Sequence, residues 1–239
     1  MSTSPDESKK AQWSPQTPSH LYDEDYFLTA CEGHASFGDG ADLSPRLAAA
    51  ADLIRFERGE RVLDIGCGRG EVVWHCALDG AVACGLDYST DALRIAQRGP
   101  GRESTTVQGV LAFTRADAKR LPFAPSSFDK VSMFDLVEHL YSWELEMALE
   151  EAWRVLDDDG LLVIHTAPNR WYYQFGYPFY RLFQRLRGRK LPANPRDRFP
   201  CHHLHVNEQD PVRLRRALRK AGFESRVWLE KVSPPDRKS

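Results

Sequence analysis

Residues 61–70, Arg61-Val-Leu-Asp-Ile-Gly-Cys-Gly-Arg-Gly70, join a short apolar run to a turn that holds three glycines. The apolar run predicts a buried strand over 61–65, and the residues after the turn predict a helix over 71–78. Glycines let the backbone bend sharply and approach a ligand where a Cβ atom would collide. The free N–H groups at the start of the helix would face the same space. This stretch therefore predicts a strand, a tight turn and a helix with a ligand bound above the turn.

Two details of the turn indicate which ligand it suits. The nicotinamide fingerprint is G-x-G-x-x-G, whereas the third glycine here, Gly70, comes one position early. Asp64 lies two residues before Gly66, where a carboxylate would face a pyrophosphate unfavourably. S-adenosylmethionine has no phosphate, and Asp64 can complement its ammonium group directly or through water. The turn therefore favours S-adenosylmethionine, and a nicotinamide-dependent oxidoreductase is the alternative.

Apolar runs alternate with amphipathic segments along the rest of the chain, which is typical of βαβ units and a parallel sheet. Further strands are predicted over 81–86, within 106–116, and over 128–134, 161–166 and 223–232. Further helices are predicted from the cap Ser89 to Arg98, over 141–156, and from the cap Asp210 to Gly222. We therefore expect an α/β fold with a doubly wound, Rossmann-like and mostly parallel sheet.

These motifs together resemble the class I methyltransferases, whose first motif is an acidic residue followed by G-x-G-x-G. The resemblance spans roughly 61–166 and returns at 210–232. It implies that S-adenosyl-L-methionine is the cofactor and methyl transfer the reaction. The positions that match the family's cofactor site are Asp64, Gly66, Cys67, Gly68 and Gly70 in the turn, Asp87 and Tyr88 after the second strand, Asp117 and Ala118 in a loop, and Phe134 and Asp135 at the end of the fourth strand.

The resemblance also implies a role for three of these side chains. Asp87 would accept hydrogen bonds from the two ribose hydroxyls. Tyr88 would pack on the adenine ring, and Asp117 would accept from its exocyclic amine. The family usually closes its sheet with a seventh strand, but the residues after 230 are too few and too polar for one. The sheet therefore has six strands, or a partner, such as a second copy in a homodimer, or missing sequence completes it.

His139 is the first candidate for a catalytic base. It follows the fourth predicted strand at the carboxyl edge of the sheet, where such folds bind ligands. Related natural-product O-methyltransferases resemble this chain in carrying a histidine there that can act as a base. A structural histidine packed beside the cofactor explains the same position equally well.

Cys201-His202-His203-Leu204-His205 is the second cluster of reactive side chains. If this segment is extended, His203 and His205 face the same way and are further candidates for the base. Imidazole and thiolate also suit zinc or iron. Adjacent residues cannot all converge on one ion, however, so we predict no metal site. The alternative is a set of histidines that hydrogen-bond within the segment leading to the last helix.

Residues 168–206 interrupt the α/β rhythm with an aromatic and basic segment. We expect it to be inserted as a substrate cap, because aromatic rings offer a dry wall and arginines can hold a phosphate or carboxylate. Docking on an anionic membrane surface and plain packing on the sheet are the alternatives. Residues 22–27 resemble the lid that covers the cofactor in relatives, although a simple amphipathic helix explains Tyr22 and Tyr26 too.

The net charge of −2 at pH 7 conceals an uneven distribution. Residues 1–169 carry 15 Lys and Arg against 28 Asp and Glu, whereas residues 170–239 carry 17 against 6. This split indicates that the C-terminal part meets something anionic, and an acceptor with a negative charge would satisfy it. A solvated basic helix face explains the same counts.

Residues 1–20 are rich in Ser, Pro and charge, so we expect a flexible tail ahead of one methyltransferase domain over 21–239. No apolar stretch approaches the ~18 residues that a membrane span needs. The five cysteines include no CxxC, which favours a reducing, cytoplasmic compartment. No nucleic-acid module is evident, so no nucleic-acid partner is expected.

The sequence thus predicts methyl transfer from S-adenosylmethionine to a small molecule, sugar or natural product, as in secondary metabolism. Oxygen is the first candidate for the acceptor atom, with nitrogen and carbon as alternatives, because the cofactor site is indifferent to the acceptor. A methyltransferase that acts on a lipid-linked or membrane-surface substrate is a further alternative.

Overall fold

A computed structural model of the chain describes residues 18–31, 43–99, 106–198 and 202–230. The strands are β1 (Arg61–Ile65), β2 (Val82–Asp87), β3 (Val110–Arg115), β4 (Phe128–Phe134) and β5 (Leu156–His165). The longer helices are α1 (Pro45–Ala51), α2 (Glu71–Leu78), α3 (Thr90–Arg98), α4 (Ser142–Val155), α5 (Tyr177–Leu186) and α6 (Pro211–Lys220). Short helical turns lie at Ser19–Leu21, Tyr26–Ala30, Val137–His139, Tyr172–Gly176, Pro195–Arg198 and His202–Leu204.

The five strands form one parallel sheet in the order β3-β2-β1-β4-β5. Along the chain, β1 forms the middle of the sheet and β2 and β3 extend it to one edge. The strands β4 and β5 then lie on the other side of β1. The strand order therefore reverses between β1 and β4, and ligands of such sheets bind in the crevice at that point. The register brings Asp64 of β1 beside Gly85 of β2 and Ser132 of β4. This topology confirms the doubly wound α/β fold.

Two apolar layers hold the helices against the two faces of the sheet. Leu63 of β1 belongs to the layer shared with α4 and α6, whereas its neighbour Val62 belongs to the layer shared with α1 and α2. Alternate residues of a strand point to opposite faces, so both must be apolar when both faces are covered. The predicted caps are confirmed, since the side chains of Ser89 and Asp210 accept backbone N–H groups at the starts of α3 and α6.

The predicted strand over 223–232 is wrong for the residues that the structure describes. Residues 223–230 pair with no strand of the described sheet. Phe223 instead packs on Trp153 of α4, with ring centroids 4.9 Å apart, and Val227 lies against the same core. Their alternate burial mimics a strand pattern, but it arises from packing on a helix. The described sheet therefore ends at β5, which itself begins earlier than predicted, at Leu156, with a register shift before Leu161.

Several predictions fall partly outside the described residues. The tail prediction over 1–20 includes 1–17, and the second reactive cluster includes Cys201. Ser19–Leu21 form a helical turn at the edge of the predicted tail. No helix within 18–31, 43–99, 106–198 or 202–230 is long and apolar enough to span a bilayer.

Candidate active site

The glycine turn between β1 and α2 is shaped by positive φ angles. Gly66, Gly68 and Gly70 have φ of 75°, 49° and 78°, a region that residues with a Cβ rarely adopt. The N–H of Gly66 donates to the carbonyl of Leu86 at 2.7 Å. A Cβ on Gly66 would lie 2.8 Å from a methyl group of Leu136. The turn is therefore locked by its neighbours as well as by its backbone.

A cleft opens above this turn at the carboxyl ends of the strands, where ligands of such sheets bind. All but one of the predicted cofactor residues line this cleft. The residues that line it are Asp64, Gly66, Cys67, Gly68, Asp87, Tyr88, Asp117, Ala118, Phe134 and Asp135. The exception is Gly70, which precedes α2 and packs against Phe113 and Ala96 beneath the cleft. Gly70 therefore shapes the turn from behind.

Asp64 places a buried carboxyl group in the wall of the cleft. The residue is only 3% exposed, and its Oδ1 accepts a hydrogen bond from the Ser132 hydroxyl at 2.7 Å. Burial raises the pKa of Asp64 to about 7, and the Ser132 bond acts in the opposite direction. No cation pairs with it among the described residues. A buried carboxylate without a counter-ion fits an ammonium group and disfavours a diphosphate.

Asp87, at the end of β2, is held in place by backbone donors. Its Oδ2 accepts the N–H of Gly68 at 3.0 Å, and its Oδ1 accepts the N–H of Ser89 at 2.8 Å. Burial raises the pKa of Asp87, and these N–H groups partly offset the effect. Each carboxylate oxygen retains a further lone pair for a hydroxyl donor. This arrangement fits the vicinal diol of a ribose.

Asp117, on the loop after β3, also lines the cleft. Its Oδ1 accepts the N–H of Lys119 at 2.9 Å, and its Oδ2 lies 3.0 Å from the Lys119 ammonium. The same ammonium lies 3.0 Å from Glu144 Oε1 of α4. The resemblance did not point to Lys119 or Glu144, yet both line the cleft.

Asp135 lines the cleft, but its carboxylate is already occupied. Arg46 of α1 binds both oxygens, at 2.7 and 2.6 Å, and His165 Nδ1 lies 2.8 Å from Oδ1. These contacts hold the pKa of Asp135 well below its usual range despite burial. Sequence reasoning missed Arg46, because 89 residues separate it from its partner and no motif surrounds it.

His139 lines the cleft from the helical turn after β4. Its Nδ1 is 3.0 Å from the hydroxyl of Tyr22, on the segment that resembles a lid. Its ring packs edge-on against Tyr22 and His205, with centroids 5.6 and 4.9 Å away. Burial and the neighbouring His205 lower the pKa of His139 to about 3. The imidazole is therefore neutral at physiological pH and able to accept a proton.

The structure separates the two histidines that were expected to face the same way. His202–Leu204 is a helical turn and not an extended segment, so His203 is exposed to solvent whereas His205 packs on His139.

Sequence reasoning also missed Glu138, which is 1% exposed and accepts from the Thr166 hydroxyl at 2.8 Å. Burial and the charge of Asp135 raise the pKa of Glu138 to about 8. No group of metal ligands is present in the part of the chain that the structure describes.

A second cavity lies on the other side of His205 and is rich in cations. Its walls are formed by Ser142, Arg170, Arg196, His205, Val206, Asn207, Glu208 and Arg213. Glu208 binds the guanidinium of Arg196, with Oε1 2.7 Å from Nε. Because one acid faces three arginines, the cavity carries net positive charge.

Comparison with known proteins agrees with this geometry. Residues 63–164 match the family model described as a methyltransferase domain. The chain is 33% identical to demethylmenaquinone methyltransferase of Tropheryma whipplei over 190 residues, which cover 75% of the chain and 73% of that enzyme. It is 40% identical over 110 residues to an uncharacterized protein of Methanocaldococcus jannaschii, covering 46% of the chain and only 38% of that protein.

A solved structure supports the fold. The crystal structure of a methyltransferase-like protein from Bacillus halodurans superposes with a TM-score of 0.55 at 22% identity, covering 76% of this chain and 70% of that one. At this identity the likeness concerns the fold alone. The family match and the demethylmenaquinone methyltransferase relative rule out the nicotinamide alternative, in agreement with the buried Asp64, which no cation pairs with among the described residues. The chain therefore belongs to the class I S-adenosylmethionine-dependent methyltransferases, with S-adenosyl-L-methionine as its cofactor.

Proposed function

We propose that this enzyme methylates an oxygen atom of a small-molecule acceptor, such as a sugar or natural product, that carries an anionic group. The observation that carries the proposal is the position of His205. Its ring packs on His139, which lines the cofactor cleft, and His205 itself lines the cationic cavity. An acceptor that spans both sites would place its hydroxyl near His139 and its anion among the arginines.

The residues that would hold the cofactor follow from the donors and acceptors of the cleft. Asp64 would face the ammonium of the amino-acid group, Asp87 the ribose hydroxyls, and Asp117 with Ala118 the adenine. Bound S-adenosylmethionine supplies a methyl group on a positively charged sulfur, which is a good leaving group. The protein's own contribution is then to align the acceptor and exclude water. Phe27 would serve the second purpose, because its apolar ring is buried and lines the cleft.

We propose that His139 takes up the proton that the acceptor hydroxyl loses. Its Nδ1 faces the Tyr22 hydroxyl at 3.0 Å. Burial raises the pKa of Tyr22 well above its usual range, so Tyr22 stays protonated. Tyr22 would pass its proton to Nδ1 as it accepts one from the acceptor, and no net charge would build up on the phenol. The imidazole is unprotonated before the reaction, as a proton acceptor must be, although burial makes it a weaker base than an exposed histidine.

The second cavity supports an anionic acceptor. Arg170 and Arg213 pair with no carboxylate among the described residues. Asn207 is 6% exposed, and within the described part of the chain its side-chain amide nitrogen has no hydrogen-bond acceptor. Two cations and a buried amide donor fit a carboxylate or a phosphate ester.

The proposal is tested by methyl transfer from labelled S-adenosylmethionine to paired acceptors that differ only in a carboxylate or phosphate. We expect the charged member of a pair to be methylated with the lower KM, and Arg213→Gln to remove that advantage. The matched control is Arg215→Gln, an exposed arginine of the same helix outside the cavity. Equal KM values for charged and neutral acceptors would contradict the anionic acceptor. Cys67, Cys76 and Cys84, which form no disulfide in the described part of the chain, support our further proposal of a reducing, cytoplasmic compartment.

A further inference from the structure

The solvent side of α5 and of the turn before it carries a row of large apolar side chains. Its members are Phe175, Phe179, Leu182, Phe183 and Leu186, with exposed fractions of 59%, 74%, 57%, 54% and 80%. Their spacing places them on one face of a helix of 3.6 residues per turn. Contiguous exposed apolar surface of this kind marks an interaction site. We call it the apolar row.

The helix is fixed with this row pointing away from the protein. On its opposite side Tyr177 is 2% and Gln184 6% exposed. The Tyr177 hydroxyl also donates to the carbonyl of Pro192 at 2.8 Å. Rotating α5 to bury the row would break these contacts and expose Tyr177. The outward direction of the row is therefore built into the packing of the helix.

Positive charge borders the apolar row. Residues 181–190 include five Lys and Arg and no Asp or Glu. Arg181 and Arg185 follow one flank of the helix, and Arg187 lies 5.1 Å from the Phe183 ring. An apolar face bordered by cations is the pattern of helices that lie in the headgroup region of an anionic bilayer.

The same charges argue against a second copy of the chain as the occupant. A two-fold interface brings the same patch of both subunits together. It would place the arginines of one copy against those of the other, with no acidic residue within 170–196 to pair them. A bilayer with anionic headgroups complements both the charge and the apolar row.

We propose that α5 is a docking helix that inserts the apolar row into the surface of an anionic phospholipid membrane. The inference does not depend on the identity of the acceptor, because it rests on the exposed face of α5 and not on the cleft. According to this proposal, α5 within the 168–206 segment binds a membrane surface and does not form part of a substrate pocket.

Co-sedimentation of the full chain with vesicles tests the proposal. Vesicles of phosphatidylglycerol mixed with phosphatidylcholine are compared with vesicles of phosphatidylcholine alone. We expect binding to the anionic vesicles that weakens as salt is added, and much weaker binding to the neutral ones. Arg185→Gln should weaken binding about fivefold. The double variant Phe179→Glu and Leu186→Glu should lose at least tenfold, with an unchanged Tm because both side chains are exposed.

The matched control is Val212→Glu, which adds the same charge at a 53% exposed apolar residue of α6. It should bind like the unchanged protein. Equal binding of the double variant, or no binding by the unchanged protein, would overturn the proposal. A dimer in light scattering that Leu186→Glu dissociates, without any vesicle binding, would overturn it too and make the row an interface between copies.

Discussion

The hydroxyl of Tyr22 lies 3.0 Å from Nδ1 of His139, so a segment near the start of the chain meets the turn after β4 directly above the cofactor cleft. Tyr22 is 7% exposed, and its backbone carbonyl accepts a hydrogen bond from the Ser89 hydroxyl at 2.6 Å. This segment is thus fastened to the start of α3 by one bond and to the proposed base by another. We therefore expect a shift of the segment to displace the proposed base.

Replacing the two members of this pair should lower kcat by similar factors. We expect His139→Ala to lower kcat by about 10²–10³ with little change in cofactor affinity, because general-base catalysis is worth about 10²–10⁴. Tyr22→Phe should lower kcat as well, and the double variant should lose little more than either single one, since the two act as one unit. The measurement is single-turnover methyl transfer in each variant.

A purely structural role of His139 predicts a different result. His139→Gln keeps a polar side chain of similar size, so it would restore kcat if the residue only packs beside the cofactor. Normal turnover in that variant would show that His139 is not the base. His205, whose ring packs on His139, would then be the next candidate.

The buried carboxyl of Asp64 should make the stability of the cofactor-free protein depend on pH. Its folded pKa, about 7, lies above the unfolded value of 3.8, so its destabilising effect is absent below about pH 4. The effect grows as the pH rises and levels off above about 7, reaching at most about 4 kcal/mol. Asp64→Asn should therefore be more stable than the unchanged protein at pH 8, with little difference at pH 4. Thermal unfolding across this range checks it, and the exposed Asp158→Asn is the control.

Gly66→Ala should lower the free energy of unfolding more than Gly59→Ala, a replacement at a glycine of similar φ. Gly66 and Gly59 have φ of 75° and 86°, so both substitutions impose strain of about 1–2 kcal/mol. A Cβ at Gly66 would also lie 2.8 Å from Leu136, whereas one at Gly59 would meet nothing within 4 Å. We expect the Gly66→Ala loss in urea unfolding to exceed the Gly59→Ala loss by about 1–3 kcal/mol. Equal losses would show that the neighbours of the turn do not confine it.

The pair formed by Arg46 and Asp135 should stabilise the edge of the cleft. Arg46→Met leaves the partly exposed carboxylate of Asp135 beside His165 alone, and we expect a loss of about 1.5–3 kcal/mol. The loss should shrink when Asp135→Asn is combined with it, which a double-mutant cycle of urea unfolding measures. Because the pKa of Asp135 is lowered in the folded protein, its contribution is present at neutral pH and disappears in strong acid. Additive losses in the cycle would contradict a direct pair.

The parts of the site predicted from sequence are those in which neighbouring residues act together. Asp64 to Gly70 is a continuous strand and turn, and Asp87 follows its own strand directly, so local chemistry suffices. Arg46 could not be found in this way, since its contact depends on how α1 packs against the sheet. The outward direction of the apolar row could not be predicted for the same reason. Helical spacing identifies a face of a helix but does not show whether that face points inward. The strand predicted over 223–232 failed for the related reason that alternate burial also arises on a helix surface.

The central claim is that the cleft recognises a positively charged amino-acid group and a ribose, and it is tested most directly by calorimetry on the purified chain. We expect S-adenosylmethionine and S-adenosylhomocysteine to bind with one site per chain and NAD to give no heat. Asp64→Ala should weaken S-adenosylmethionine about tenfold to a hundredfold while the protein stays folded, because a charge-assisted hydrogen bond contributes about 1.5–3 kcal/mol. Saturable binding of NAD without binding of the methyl donor would contradict the account.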